Sequence, residues 1–304
     1  MITKNALLYM SKQEGLRDIL TQFRFFQKVT SRFVAGETIE EAANAVKRLN
    51  SLAIKASFDH LGEAIRNEEE ANSEVYEYHK IIDKISSDGL KSGVSIKPTQ
   101  LGLDISPDLF LNNSRRIIEK AAYDGRFVRI DMEDSRHTTA TIELFKKLRA
   151  DFQNVGIVIQ AYLYRSRDDI IDLLKNRASI RLCKGAYDEP ASVAFPKKLD
   201  TDNNYIALTQ LLLDSGYYHG IATHDEKMIN ATIDYAEKRN IPKAAYEFQM
   251  LYGVRRDLQE KLAREGFNMR VYVPYGKHWY PYFMRRLAER PANIWFVLKN
   301  AFKG

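Results

Sequence analysis

Gly156-Ile-Val-Ile-Gln-Ala-Tyr162 is followed by Ser166-Arg-Asp-Asp-Ile-Ile-Asp-Leu-Leu-Lys175 and then by Ser179-Ile-Arg-Leu-Cys183. The first run is apolar at consecutive positions, as expected of a strand covered on both faces. Ser166 stands where a helix would be capped, with Asp168 and Asp169 in the first turn, where carboxylates meet the positive end of the helix dipole. A second apolar run after the helix completes a strand–helix–strand unit, and such a crossover implies parallel strands.

The same unit recurs on both sides. Strand-like runs fall at Ile54–Phe58, Val94–Lys97, Phe127–Asp131, Gly156–Tyr162, Ser179–Cys183, His219–Thr223, Ala245–Phe248 and Arg270–Val273. Helical patterns lie between them at Glu69–Ser86, Pro107–Tyr123, Thr139–Asp151, Ser166–Lys175, Tyr205–Asp214, Glu226–Arg239 and Val254–Arg264. Eight such units predict an α/β fold closed into a (βα)8 TIM-type barrel. An open doubly wound sheet is the competing architecture, but no G-x-G-x-x-G or G-x-x-x-x-G-K-[ST] turn accompanies it. Residues 1–52 read as an N-terminal helical arm, with Leu7, Leu16, Ile19, Phe23 and Phe26 on an amphipathic face and a capping box of Thr38 and Glu41. Residues 53–304 read as the barrel.

At 304 residues, 45% apolar, the chain suffices for one large core. The balance of 46 basic and 40 acidic residues, a net +6, lies in no long run, which argues against a nucleic-acid footprint and leaves room for attraction to an anionic membrane surface. Cys183 is the only cysteine, so no internal disulfide is expected. Charges interrupt Met1–Phe26, so neither a signal peptide nor a membrane span is expected there, and the pattern suits a cytoplasmic protein.

In a barrel the C-terminal strand ends converge on one face. They would bring together Asp59 and His60, Lys97, Asp131, Glu133 and Asp134, Gln160, Arg181, Lys184 and Tyr187, Thr223 and His224, Glu247 and Gln249, and Tyr272. Lys97 reads either as the partner of Asp131 in a structural ion pair, or as an ammonium facing an anionic cofactor, or as a Schiff-base amine. Asp131-Met-Glu133-Asp134 reads as a solvated strand end or as a site for a substrate ammonium; a metal is not expected, because the histidines show no H-x-H or H-E-x-x-H spacing. His224 reads as a loop hydrogen-bonder or a ligand contact. Cys183, inside a strand, reads as buried and inert. Arg181-Leu-Cys-Lys-Gly-Ala-Tyr187 is more specific, because Gly185 lets a ligand approach the backbone between two cations, an arrangement suited to a phosphate or the polar edge of a flavin.

The last such helix is expected over residues 281–290, with Pro281 in its first turn and Pro291 beyond its end. On it Tyr282, Arg285, Arg286 and Glu289 fall at i, i+3, i+4 and i+7, one face able to grip an anion, or else an ordinary solvated face.

Ser95-Ile-Lys97, Ile130-Asp-Met-Glu133, Gln160-Ala-Tyr162, Arg181–Tyr187, Ala222-Thr-His-Asp225, Tyr246–Gly253, Arg270-Val-Tyr-Val-Pro274 and the terminal Y-x-x-R-R-x-x-E of Tyr282–Glu289 together resemble, in order, the motif set of proline dehydrogenases. By size the chain resembles the monofunctional bacterial enzymes. The resemblance implies a distorted (βα)8 barrel that uses FAD to oxidise L-proline to Δ1-pyrroline-5-carboxylate. Hydride would leave proline C5 for flavin N5, and electrons would pass to a membrane quinone. Cytoplasmic placement, peripheral at the inner membrane face, and handover of product to pyrroline-5-carboxylate dehydrogenase follow from the same likeness. It implies that Arg285 and Arg286 hold the proline carboxylate with Lys97, that Glu289 gates the site, and that Asp131, Ala186, Tyr187, Leu251, Tyr272 and Tyr282 shape the pocket. Gln160, Arg181, Lys184, Gly185, Thr223, His224 and Glu247 would contact FAD, with the final helix as a lid. Met132, Cys183 and the aromatic-rich 275–281 segment depart from the family pattern. The alternatives are 4-hydroxyproline as substrate, disfavoured by the full-sized Tyr272, a Schiff-base aldolase or lyase using Lys184 or Lys97, and a basic scaffold for membranes or nucleic acid.

Overall fold

The structure is a computed structural model that describes residues 30–62 and 65–289, without the side chains of residues 285 and 287–289. The apolar face expected over Leu7–Phe26, the helix end at Arg290 and Pro291 lie outside the described residues.

Eight parallel strands close into a barrel in sequence order. They are β1 (Lys55–His60), β2 (Ser92–Ile96), β3 (Val128–Ile130), β4 (Val155–Gln160), β5 (Ser179–Cys183), β6 (His219–Ala222), β7 (Tyr246–Leu251) and β8 (Asn268–Tyr275). Helix α1 (Ile39–Ser51) precedes β1, and the strands are followed in turn by α2 (Glu68–Ser87), α3 (Pro107–Tyr123), α4 (Ser135–Asp151), α5 (Ser166–Lys175), α6 (Lys198–Asp214), α7 (Glu226–Lys238), α8 (Arg256–Arg264) and α9 (Trp279–Glu289). Closure through six β1–β8 register pairs, Lys55↔Arg270 to His60↔Tyr275, excludes the open sheet.

Alternation along the strands separates two environments. Phe58, Val94, Ile96, Val128, Ile130, Ile157, Ile180, Leu182, Ile221, Phe248 and Val271 are all fully buried in the apolar core shared with the helices. Each such side chain contributes roughly 1.5 to 3 kcal/mol. The residues between them, including Ser57, Asp59, Ser95, Arg129, Arg181, Glu247 and Gln249, are also buried, and Ser57, Ser95, Arg181, Gln249 and Glu247 are bonded in a chain across the barrel interior. Most barrels fill that space with branched apolar side chains. Here glycines make room for polar ones: a methyl group on Gly156 would strike the Arg129 guanidinium, and one on Gly220 would strike the Gln249 amide.

Local signals explain several boundaries and correct one. The Thr38–Glu41 capping box forms, with the Thr38 hydroxyl accepting from the Glu41 N–H at 3.3 Å and Glu41 Oε2 accepting from the Thr38 N–H at 3.0 Å. Ser166 does not cap α5. It is the first helical residue, and its buried hydroxyl donates to the Gln160 carbonyl at 2.5 Å, tying the helix start to the end of β4. Residues ahead of β1 belong to the same packing: Ala35, Ala42, Ala43, Ala45 and Val46 join the barrel core. The Ala35 N–H donates to the Pro274 carbonyl at 2.8 Å. Gly253, in the left-handed region, presses so closely on the Arg32 carbonyl that no side chain fits. The Phe33 ring packs on Phe283 of α9 at 6.2 Å.

Candidate active site

The C-terminal ends of β1, β2, β3, β5 and β8 hold one charged cluster. Lys97, the residue after β2, extends its ammonium to three groups: the Asp59 carboxylate, the Tyr272 hydroxyl at 3.0 Å and, more distantly, Asp131 Oδ2 at 3.7 Å. Asp59, absent from the expected pairing, is therefore the nearer partner, because parallel register sets it beside Ser95, two residues before Lys97. Asp131 is held from two other sides. Tyr272 donates to its Oδ2 at 2.7 Å and Arg181 to its Oδ1 at 2.9 Å. Arg181 is fixed in turn by Gln249 at 2.5 Å and Ser95 at 3.1 Å, with its guanidinium 5.2 Å from the Tyr272 ring centre.

Burial pushes the Asp59 carboxyl above its usual range, and the Lys97 charge pulls it back only in part. Burial, with the charges of Asp131 and Asp59, pushes the Tyr272 phenol well up, so it stays a neutral donor. Lys97 keeps 18% of its side-chain surface exposed, so this cluster is open to the mouth.

A second cluster forms on the β5–β6 side. Lys184 donates to Asp202 of α6 at 2.5 Å and to Asp225 at 2.9 Å. Burial would raise both carboxyls, but the lysine holds them below the usual range. Thr223 is buried, and its hydroxyl accepts from the Asp225 N–H at 3.1 Å. His224 Nε2 accepts from the Leu251 N–H at 2.9 Å, so the ring spans β6 and β7 as a loop hydrogen-bonder. Gly185 takes φ +115°, and the Tyr162 ring lies where its side chain would be. Gln160 donates to the Glu133 carbonyl at 2.8 Å. Ala186 and Tyr187 are exposed on the loop that follows, and Leu251 stands in register with Tyr272.

Several expected mouth residues lie elsewhere. The pattern ends a strand at Phe248, but β7 runs on to Leu251, which leaves Glu247 near the opposite end. There it accepts from Arg270 at 2.6 and 3.1 Å, from Tyr218 at 2.9 Å and from Gln249 at 2.5 Å. Glu133 turns away to accept the Thr99 N–H and hydroxyl, each at 2.8 Å, and Asp134 caps α4. Among the described residues no group of three or more His, Cys, Asp or Glu is placed to hold a metal. Cys183 is half-buried, its thiol 3.6 Å from the Ile159 carbonyl.

Helix α9 begins beyond β8. Tyr282 is buried, and the Arg286 guanidinium lies 5.3 Å from its ring centre, the i, i+4 spacing of one helical face. The backbone places residues 285 and 289 at the matching positions of that face; their side chains are outside the described residues. Asp202, Ser95 and Gln249 complete the clusters; Gln249 carried a signal in its strand-end run and Ser95 in the motif it opens, whereas Asp202 carried none.

A family model described as proline dehydrogenase matches residues 42–299. Proline dehydrogenase 1 of Bacillus subtilis strain 168 is 47% identical over 272 residues, 90% of each chain. Proline dehydrogenase of Deinococcus radiodurans is 45% identical, over 99% of this chain and 98% of its own. Among solved structures, proline utilization A from Bdellovibrio bacteriovorus inactivated by N-propargylglycine superposes with a TM-score of 0.81 at 28% identity. It covers 87% of this chain, which spans 33% of that longer one. With a matched region that takes in all eight strands and both charged clusters, the chain belongs to the proline dehydrogenase family of oxidoreductases.

Proposed function

We propose that the protein oxidises L-proline to Δ1-pyrroline-5-carboxylate with FAD, and that the electrons pass on to a membrane quinone. The observation that carries this reading is the charge pattern of the mouth. Two carboxylates, Asp59 and Asp131, face two cations, Lys97 and Arg181. A small zwitterion with an apolar ring fits such a place.

In this reading Arg285 and Arg286 take the substrate carboxylate by fork geometry, and Lys97 supplies the third positive group. Tyr272 and Leu251 pack the ring from adjacent strands, while Tyr282 and Tyr187 limit water from the lid side. Glu289 gates entry. Asp131, held by Arg181 and Tyr272, fixes the orientation of both.

The donors along β4–β6 suit FAD. The amide of Gln160, the ammonium of Lys184, the Thr223 hydroxyl and the His224 ring form a polar edge, with Arg181 at its inner end. Bound there, FAD supplies the acceptor for the hydride from proline C5. Glu247, at the far end of its strand, has no part in this set.

No described helix is long and apolar enough to cross a membrane, and a peripheral place at the inner face of the cytoplasmic membrane accords with reduction of a quinone. Handover to a pyrroline-5-carboxylate dehydrogenase follows from the instability of the cyclic imine product in water. Lys97 and Lys184 are each engaged by two carboxylates, so neither is presented as the free amine that a Schiff-base lyase needs. Purified protein should be yellow, and L-proline should bleach its flavin absorption anaerobically. A colourless protein that takes up no added FAD would overturn the reading.

A further inference from the structure

We propose that Asp59 is a positioning residue: it anchors the Lys97 ammonium on the β1 side of the mouth, where it faces the substrate carboxylate, and keeps it from collapsing onto Asp131. The inference rests on the proposed amino-acid site and names what holds one of its cations in place.

Asp59 is the fifth residue of β1, between Ser95 of β2 and Pro274 of β8, and it is wholly buried. One of its oxygens receives the Lys97 ammonium; the other, Oδ2, has no hydrogen-bond partner among the described residues. A carboxylate in that state is expensive to keep, and the fold does not ask for it, since a serine such as the neighbouring Ser57 and Ser95 satisfies this interior. Rules of burial are broken in this way where a function is served.

The alternative resting place for the ammonium is close. Asp131 Oδ2 lies 3.7 Å from Lys97 Nζ and already accepts from Tyr272. With the Asp59 charge gone, Asp131 is the nearest carboxylate. An ammonium drawn to it would shift from the β1 side to the β3 side of the mouth and compete with the Tyr272 hydroxyl for the same oxygen. Asp59 thus balances Asp131, and Lys97 is suspended between them.

Simple charge counting predicts the opposite effect of removing Asp59. The mouth would gain one net positive charge and bind anions more tightly, so the sign of the change separates the two accounts. The test uses FAD-loaded protein, wild type and Asp59→Asn, with two half-substrates: cyclopentanecarboxylate, which keeps the carboxylate, and pyrrolidine, which keeps the ring nitrogen. In Asp59→Asn the affinity for cyclopentanecarboxylate should fall by about tenfold, the loss of one charge-assisted contact, and the proline KM should rise by a similar factor. Pyrrolidine binding and kcat should stay within about twofold. In a Lys97→Met background, adding Asp59→Asn should change carboxylate affinity by less than about twofold, because the group being positioned is already gone. It should also recover part of the unfolding midpoint lost on Lys97→Met, since the carboxylate is no longer stranded.

Should Asp59→Asn not fold alone, Asp59→Glu keeps the charge and displaces it by one methylene, and the same selective loss is expected. Unchanged or tighter carboxylate binding overturns the inference, as does an equal loss for both half-substrates. Wild-type protein that oxidises proline alongside such a result leaves the proposed function standing. Wild-type protein that neither oxidises proline nor binds cyclopentanecarboxylate sinks both.

Discussion

At the base of the barrel Glu247 receives two N–H groups from Arg270, the Tyr218 hydroxyl and the Gln249 amide, so both its oxygens are saturated. At the mouth Asp59 is as deeply buried, yet it receives one ammonium and leaves Oδ2 bare. The two carboxylates respond oppositely. Burial would raise both, but Arg270 and its neighbours bring Glu247 below the usual range, while Asp59 stays above it. A saturated pair stabilises one arrangement, whereas an unsaturated one keeps its partner available. The base is therefore built for stability and the mouth for binding, as expected of the two ends of a (βα)8 barrel. Between them runs a bonded column, Glu247 to Gln249 to Arg181 to Asp131.

The hardest way to break this contrast is at the base. Glu247→Gln should lower the unfolding free energy by roughly 3 to 5 kcal/mol, because the half-buried Arg270 loses its counter-charge. Denaturant titration measures the loss, and the proline turnover of the molecules still folded should stay near wild type. A stable but inactive variant would show that the column carries function to the base.

At the mouth the order should reverse. Arg286→Met should raise the proline KM by roughly ten- to a hundredfold, as one charge-assisted contact of about 1.5 to 3 kcal/mol disappears, with little change in unfolding midpoint. Unchanged steady-state kinetics would reduce the α9 face to a solvated surface.

The smallest effects are in the pH dependence of stability, where histidines at the two ends slope oppositely. Burial, aided by the Arg129 charge, lowers His219 from 6.5 to about 3, so the unfolded chain binds the proton more tightly. Stability from His219 is full above its unfolded value and fades as pH falls towards about 3. His60 is raised: burial opposes the charge, but its 2.9 Å hydrogen bond to Glu74 and the charges of Glu74, Glu77 and Asp59 outweigh it. Its contribution is full below the unfolded value and is lost as pH rises through the raised one. Unfolding measured across this range should lose its acid-side slope in His219→Asn and its alkaline-side slope in His60→Asn.

The strands and helices were legible because apolar runs and amphipathic faces report burial directly. Side-chain destinations were less so. Glu247 misleads because the apolar run Ala245–Phe248 stops short of the polar Gln249, when both polar residues point into a polar interior that periodicity does not reveal. Asp202 is invisible because it sits on a polar helix surface until folding brings it to Lys184. Lys97 was assigned to Asp131 from two strand ends, and only the register between β1 and β2 puts Asp59 first. The family motifs add what pattern alone does not, the proposed grouping of α9 with the mouth.

The interior glycines constrain how this sequence changes over time. Gly156 is matched in volume to Arg129, and Gly220 to Gln249, each long side chain filling the place a methyl group would take. Arg129 and Gln249 are themselves fixed by bonds to Ser179, Arg181 and Glu247, so they have no slack to give. Gly220 is not free to grow until Gln249 shrinks, and Gly156 is barred besides by the Ser179 backbone carbonyl, 2.5 Å from where its methyl group would sit. Gly220 and Gln249 should therefore drift as a linked pair, while Gly156 should stay fixed whatever stands at position 129.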